Sequence, residues 1–158
     1  MLYLAADHAG FELKEKIKAH LAERGIDFED MGAYAYNKDD DYPDFAYKAA
    51  VKLANGAPED RAIVICGSGV GVAITANKVK GVYCAQVWSK KISQSVREHN
   101  TVNAIALGAH YISDKDAFAA IDAFLSSPGA TAERHKRRFG KVKDIENETL
   151  ELQAKPQF

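Results

Sequence analysis

Short apolar segments alternate with longer amphipathic segments along the chain. Residues 2 to 6 form an apolar run, which predicts a strand. Leu13, Ile17 and Leu21 then recur every four positions, a spacing that predicts a helix over residues 11 to 24. The chain therefore opens with a strand followed by a helix.

The segment 62 to 66, Ala-Ile-Val-Ile-Cys, is the most strand-like in the sequence and carries no charge. Such a run is typical of a strand buried on both faces, as in a parallel sheet covered by helices. Weaker patterns predict strands over residues 26 to 29, 81 to 87 and 103 to 107. Helices are predicted from Pro43 or Asp44 to about Asn55, from the glycines after Cys66 to about Lys78, from Ser89 to Glu98, from Asp114 to about Ser126, and over residues 131 to 153.

This alternation predicts one architecture. Repeated β-α units with short loops form an open three-layer α/β/α sandwich around a mostly parallel sheet of about five strands. Nothing in the pattern marks a second domain, so residues 1 to 158 are expected to form a single domain, with a C-terminal helix and tail from about residue 130. That last helix is too polar for a core position, and we expect it to reach to a partner subunit.

Composition narrows the class of protein. Of the 158 residues, 47% are hydrophobic and 27% are charged, and the formal net charge is −1. This balance is typical of a soluble globular protein and favours neither a nucleic-acid nor a membrane partner. The first residues lack the basic start of a signal peptide, and no apolar run approaches the roughly 20 residues of a membrane span. Cys66 and Cys84 lack metal-site spacing, so we expect free thiols in the cytoplasm.

Three glycines alternate directly after the predicted strand that ends at Cys66. In Gly67-Ser68-Gly69-Val70-Gly71 they let the backbone turn its N–H groups inward at the positive end of a helix. Such a nest of N–H groups holds an anion, either a bound phosphate or an oxyanion formed during a reaction. Val72 stands where the dinucleotide fingerprint needs glycine, and no Gly-Lys-Ser/Thr follows as in a P-loop. A tight turn that needs small residues is the alternative.

Cys66 ends its strand just before this turn, where a helix N-terminus favours the thiolate. A thiolate there could act as a base or a nucleophile. The alternative is a buried structural cysteine, and Cys84, in mid-strand with no such turn, is assigned to that alternative.

Three further polar groups are candidates for a site. His99-Asn100 could move a proton and bind an oxyanion, or could cap the end of a helix. Asp7-His8 reads either as an acid–base pair or as an ordinary helix cap. Arg134 and Arg138 are four residues apart in the predicted last helix, so both could bind one phosphate, although a basic run is also typical of a solvated face.

Taken together, these segments resemble one known family. The ordered motifs are Asp7-His8-Ala9-Gly10, Asp41-Tyr42-Pro43-Asp44, Cys66-Gly67-Ser68-Gly69-Val70-Gly71, Ala76-Asn77-Lys78 and Arg97-Glu98-His99-Asn100, followed by the arginine pair. The set is similar to the type B ribose-5-phosphate isomerases, which share a family with the galactose-6-phosphate isomerase subunits. The resemblance covers about residues 1 to 145.

The resemblance implies a Rossmann-like fold and an aldose–ketose isomerase of the pentose phosphate pathway. Its members interconvert ribose 5-phosphate and ribulose 5-phosphate through an enediolate, without metal or cofactor. A homodimer with sites between subunits is implied, with a tetramer left open. The alternative substrate is a phosphorylated hexose, galactose 6-phosphate or allose 6-phosphate. A non-catalytic nucleotide-binding module and a thiol redox protein are less favoured, because the dinucleotide fingerprint fails and no Cys-x-x-Cys is present.

The resemblance also assigns roles to individual residues. Cys66 matches the base that takes a proton from C2 and returns it at C1, and Ser68 matches the hydroxyl beside it. Asp7 and His99 match residues that open the sugar ring, and Asn100 matches an enediolate-binding amide from the partner subunit. The other matches have binding roles: Gly67, Gly69, Val70 and Gly71 toward the enediolate oxygen, His8, Arg134 and Arg138 toward the phosphate, and Tyr42 as a residue that lines the site.

Two positions depart from the family pattern. Some members carry a glutamate base just after the glycine turn, where this chain has Val72, so Cys66 has no competitor as the base. The family usually has an arginine after the fifth strand that contributes to the phosphate site. This chain has His110 there, which is charged only when protonated. We expect His110 to take that place in the phosphate site.

Overall fold

A computed structural model describes the backbone of residues 1 to 154 and the side chains of residues 1 to 150. The strands are β1 (Leu2–Ala6), β2 (Phe28–Asp30), β3 (Arg61–Cys66), β4 (Cys84–Gln86) and β5 (Ala104–Gly108). The helices are α1 (Phe11–Glu23), α2 (Tyr42–Ala54), α3 (Val70–Ala76), α4 (Lys90–Asn100), α5 (Asp114–Ser126) and α6 (Glu133–Ala154). None of these helices is long and apolar enough to cross a membrane.

The five strands form one sheet in the order β2-β1-β3-β5-β4, and every neighbouring pair is parallel. The predicted α/β/α architecture with a five-stranded parallel sheet is therefore confirmed. Strand β3, which carries no charge after Arg61, lies at the centre, with Ile63 in register with Leu4 on one side and Ile105 on the other. All carboxyl ends consequently meet at one edge of the sheet, and all amino ends meet at the other.

Helices pack on both faces of the sheet, and the two faces differ in the size of their side chains. One face carries leucines and isoleucines, such as Leu4 and Ile63, which pack against α1 and α5. The opposite face carries smaller residues that meet three buried alanines of α2, namely Ala46, Ala49 and Ala50. Cys66 belongs to this second face. The thiol is therefore held in a layer of short side chains.

The fourth strand is shorter than its apolar pattern predicts. Strand β4 covers only Cys84–Gln86, and amide side chains bind the backbone at its start. Asn77 donates to the Cys84 carbonyl and accepts from the Cys84 N–H, both at 2.8 Å. Asn103 Oδ1 accepts from the Tyr83 N–H at 2.8 Å. These amide side chains replace ladder hydrogen bonds, and a hydrophobicity pattern does not contain that information.

Helix α6 packs on its own chain along the amino side of β4. The Glu146 carboxylate accepts hydrogen bonds from the Gly81 N–H at 3.1 Å and from the Tyr83 hydroxyl at 2.9 Å. The Phe139 ring packs edge-on against Tyr83 at 4.8 Å between centroids. Burial, followed by the bond to Glu146, raises the pKa of Tyr83 to about 12. The predicted reach of this helix to a partner stays a prediction, and the tail after residue 154 lies outside the described residues.

A buried lysine fixes the segment that follows β2. The Lys14 side chain is 0% exposed, and its Nζ donates to Asp30 Oδ1 and to the Ala33 carbonyl, both at 2.6 Å. Burial alone would raise the pKa of Asp30, but hydrogen bonds from Lys14 and Lys18 lower it overall. Asp30 therefore stays ionised, and one ammonium group ties helix α1 to the end of β2.

We expect Lys14→Met to lower the free energy of unfolding by about 2–3 kcal/mol, because it removes the buried ammonium donor from the Ala33 carbonyl and one of the donors to the partly buried Asp30 carboxylate. Lys16→Met is the matched control. Lys16 lies on the same helix with its side chain 43% exposed and pairs with Glu12 and Asp114. Its removal should cost below about 1 kcal/mol. Urea denaturation of both variants measures the difference, and similar losses would contradict a special role for Lys14.

Candidate active site

The carboxyl edge of the sheet brings together residues that are far apart in sequence. Asp7 follows β1, Cys66 ends β3 and Gly108 ends β5. Helices leave this edge toward opposite faces on either side of β1 and β3, and ligands of open α/β sheets bind at such a switch point. The candidate site is therefore the crevice above the ends of β1, β3 and β5.

The glycine turn directs the Gly69 N–H toward the Cys66 sulfur. Cys66 is buried, and its Sγ accepts a hydrogen bond from the Gly69 N–H at 3.1 Å. Gly69 has φ +79°, a left-handed conformation that suits glycine. Ser68 Oγ accepts from the Val70 N–H at 3.2 Å.

Strand β5 presses directly against this turn through backbone atoms. A Cβ at Gly69 would lie 2.9 Å from the Gly108 nitrogen, and a Cβ at Gly108 would lie 2.4 Å from the Ser68 carbonyl oxygen. Just beyond, the Ala109 N–H donates to the Cys66 carbonyl at 2.9 Å and the His110 N–H donates to the Gly67 carbonyl at 3.0 Å. Both glycines are thus required by close approach, and the turn cannot move without β5.

Two aromatic rings occupy the space left by the other glycines of the turn. A Cβ at Gly67 would lie 2.9 Å from the His110 ring, and a Cβ at Gly71 would lie 2.7 Å from the Tyr42 ring. The structure therefore places His110 and Tyr42 beside the nest, where the sequence predicts them. A larger residue at Gly67 or Gly71 would occupy the space that these two rings now fill.

Asp7 and His8 complete this edge with a buried acid and a charged imidazole. Asp7 is 5% exposed, and its Oδ1 accepts from the Gly10 N–H at 2.9 Å. Burial raises the pKa of Asp7 although that hydrogen bond and the nearby His8 act against the rise. His8 Nδ1 lies 2.7 Å from Asp40 Oδ1, and this contact raises the pKa of His8.

Asp40 is the residue of this edge that sequence reasoning missed. Its segment, residues 37 to 41, reads as an acidic loop, and one acid among several carries no mark of burial. The contact with His8 spans 32 positions and depends on how the loop folds back. The position of Asp40 two residues before Tyr42, which is predicted to line the site, is the one sequence feature that indicates a place near the site.

The other predicted site residues lie at the amino edge of the same chain. Helix α4 runs back from the carboxyl edge and ends at Asn100, just before β5 begins. The five residues of β5 separate the two edges by roughly 16 Å. Within one chain, the structure therefore does not bring His99, Asn100, Arg134 and Arg138 to Cys66.

At the amino edge, His99 and the arginine segment form a second group. The rings of His99 and His135 lie 4.4 Å apart between centroids, and Arg134 Nε donates to His135 Nε2 at 2.9 Å. Burial, followed by the charges of His99 and Arg134, lowers the pKa of His135. His135 thus favours its neutral form, which can accept the arginine hydrogen bond.

The second cysteine differs from the first in its surroundings. Burial raises the pKa of Cys84 to about 12, so it remains a thiol at neutral pH. Among the side chains described, no three His, Cys, Asp or Glu residues are grouped as metal ligands would be.

Comparison with known proteins gives a consistent set of matches. The family model described as Ribose/Galactose Isomerase matches residues 2 to 142. Ribose-5-phosphate isomerase B of Mycolicibacterium paratuberculosis is 43% identical over 145 residues, which cover 92% of this chain and 91% of that protein. The crystal structure of the Mycoplasma genitalium ribose-5-phosphate isomerase B with bound ribulose-5-phosphate has a TM-score of 0.89 at 37% identity, covering 93% of this chain and 96% of that one. The Clostridium thermocellum enzyme gives a TM-score of 0.87 at 36% identity, covering 94% and 98%.

The packing of the glycine turn can be tested against a second glycine with the same backbone conformation. Gly81 has φ +80°, but a Cβ there would meet no atom within 4 Å. Gly81→Ala should lower the free energy of unfolding by about 1–2 kcal/mol from conformation alone. Gly69→Ala should cost at least about 1 kcal/mol more, because its methyl group collides with β5. Thermal or urea unfolding compares the two, and equal losses would show that the contact with β5 does not fix Gly69.

Proposed function

The chain belongs to the ribose/galactose isomerase family, and we propose that it interconverts ribose 5-phosphate and ribulose 5-phosphate. The relatives that match nearly its whole length are ribose-5-phosphate isomerases B, and one solved relative holds ribulose-5-phosphate. The observation that carries the proposal is the Cys66 sulfur held 3.1 Å from a turn amide, at the edge where acid and imidazole groups meet. This edge offers a base, an oxyanion nest and a phosphate site.

Cys66 is the base in this proposal. Aldose–ketose isomerisation moves one proton from C2 to C1 and another from the C2 hydroxyl to the C1 oxygen. A single group can take the carbon-bound proton from C2 and return it at C1, while the second proton passes between the two oxygens of the enediolate. The next candidate position, Val72, is a buried hydrocarbon and cannot share that role. The Gly69 N–H donates to the Cys66 sulfur at 3.1 Å and so holds it at the edge where the substrate would bind.

The turn amides supply the second requirement, which is stabilisation of the enediolate. A C–H group next to a carbonyl is too weak an acid for a thiolate in water to deprotonate it. Fixed N–H groups in residues 67 to 71 would bind the oxygen as it becomes negative, and such donors contribute several kcal/mol to transition-state stabilisation. The contact with β5 holds these donors in place before the substrate arrives.

The acid and the imidazoles supply ring opening and phosphate binding. The raised pKa of Asp7 allows that buried carboxyl to hold a proton closer to neutral pH than an exposed aspartate does. Such a group can pass a proton to or from the furanose ring oxygen. His8, charged beside Asp40, and His110, beside Gly67, would bind the phosphate.

The remaining groups would come from a second copy of the chain. His99, Asn100, Arg134 and Arg138 lie one strand length from Cys66 in the same protomer. A homodimer that sets the amino edge of one protomer against the carboxyl edge of the other would complete both sites. Exposed apolar side chains next to the glycine turn support such an interface: Val70 is 47% exposed, Ile74 56% and Trp88 61%.

The first test is the reaction itself and its dependence on Cys66. A coupled assay with purified ribose 5-phosphate should show turnover, and Cys66→Ser should lower kcat by at least about 100-fold, because removal of a general base costs that much. Galactose 6-phosphate and allose 6-phosphate are assayed in parallel, and exclusive turnover of either hexose would contradict the proposed substrate.

Cys84→Ala is the matched control for that experiment. Cys84 lies on β4 and not next to the nest, so its replacement should leave kcat within about twofold of wild type, as expected for a residue that does not touch the substrate. Retention of more than about a tenth of wild-type kcat by a folded Cys66→Ser would argue against the thiol as base.

The composite site has a separate test. Cys66→Ala and His99→Asn chains are co-expressed with different affinity tags, and the mixed dimer is purified. One of its two sites then carries both native groups, so it should show about half of the wild-type rate per dimer while each variant homodimer is inactive. An inactive mixed dimer would show that Cys66 and His99 act within one chain or not at all.

A further inference from the structure

Asp40 has no role in the mechanism above, yet it binds His8 through two contacts. Its Oδ1 accepts from the His8 backbone N–H at 2.9 Å and lies 2.7 Å from His8 Nδ1. The Asp40 side chain is only 8% exposed. Its second oxygen, Oδ2, is buried without a hydrogen-bond partner among the described residues.

A buried carboxylate in an acidic surface loop is costly unless a cation balances it. The adjacent Asp39 is exposed and is not recorded in any ion pair among the described residues. Among those residues, the cation in contact with Asp40 is His8. The fold of the loop therefore removes Asp40 from water and pairs it with the His8 imidazole.

We propose that Asp40 is a positioning residue that keeps His8 cationic and turns its Nε2–H toward the substrate phosphate. This inference rests on the proposed function, since it names a residue that tunes the phosphate site of the isomerase. Nδ1 is occupied by Asp40, so Nε2 is the ring nitrogen left for a ligand. Because the same Asp40 oxygen binds both the His8 backbone N–H and Nδ1 of the ring, it restrains the orientation of the imidazole, as a phosphate ligand requires.

The groups around His8 determine how its charge depends on pH. Asp7 and Asp40 are both acids, the Tyr36 ring meets the imidazole edge-on at 6.4 Å, and His110 lies across the glycine turn against Gly67. The bond to Asp40 is the largest influence and raises the pKa of His8, burial opposes it, and the charge of Asp7 adds to the rise. An ordinary imidazole loses its charge above about pH 6.5, whereas His8 keeps it to higher pH.

The test compares Asp40→Asn with Asp39→Asn in histidine-labelled protein. NMR titration should show the pKa of His8 falling by about one unit or more in Asp40→Asn, since the amide keeps the shape but not the charge. The same samples are titrated with inorganic phosphate at pH 6 and pH 8. At pH 8, Asp40→Asn should bind phosphate about tenfold more weakly than wild type, and its KM for ribose 5-phosphate should rise about tenfold, the effect of one charge-assisted hydrogen bond. At pH 6 both values should change little, and kcat should change less than KM.

Asp39→Asn removes a charge from the same loop without touching His8 and should behave as wild type. An unchanged His8 pKa in Asp40→Asn, or a loss of phosphate affinity equal at both pH values, would overturn the inference. The NMR and phosphate titrations do not depend on turnover. If wild-type protein fails to isomerise ribose 5-phosphate, the proposed function fails, while these titrations still decide whether Asp40 sets the charge of His8.

Discussion

The candidate site depends on a contact between two stretches of backbone. The glycine turn after β3 and the end of β5 approach so closely that neither Gly69 nor Gly108 has room for a methyl group. This contact fixes the turn whose Gly69 N–H donates to the Cys66 sulfur, and it also determines where His110 leaves the sheet. Because the constraint lies in main-chain atoms, the nest is formed by folding itself and does not require a ligand to order it.

Charge at this edge is set by pairs of groups rather than by the protein as a whole. The chain has a formal net charge of −1, so a phosphate site needs local cations. Both pKa values are raised: the bond to Asp40 raises the pKa of His8 and favours its charged form, whereas burial raises the pKa of Asp7 and favours its neutral form. Two neighbouring residues in sequence thus acquire opposite tendencies from their different contacts. Acid–base chemistry and anion binding can then take place side by side.

Sequence patterns predicted the sheet, its helices and the residues that follow the strands, since hydrophobic period and glycine spacing are local properties. They could not predict that Asp40, rather than Asp39 or Asp41, turns inward, because that depends on a contact across 32 positions. Nor could they predict that the side chains of Asn77 and Asn103 bind the backbone at the start of β4. The resemblance implied sites shared between subunits, with Asn100 from the partner, and the path of α4 shows that one chain places the two groups of site residues at opposite edges of the sheet.

The small side chains beneath Cys66 have a consequence for how the protein tolerates sequence change. Alanine has no side-chain torsion to adjust, so Ala46, Ala49 and Ala50 cannot change rotamer to absorb a misfit, and this layer has fewer adjustable side chains than the other. The opposite face, built from leucine, isoleucine and phenylalanine, can repack around an altered volume. Over evolutionary time the two faces should drift at unequal rates. Cys66 lies on the face that we expect to change more slowly, so the position of its thiol should vary little among related sequences.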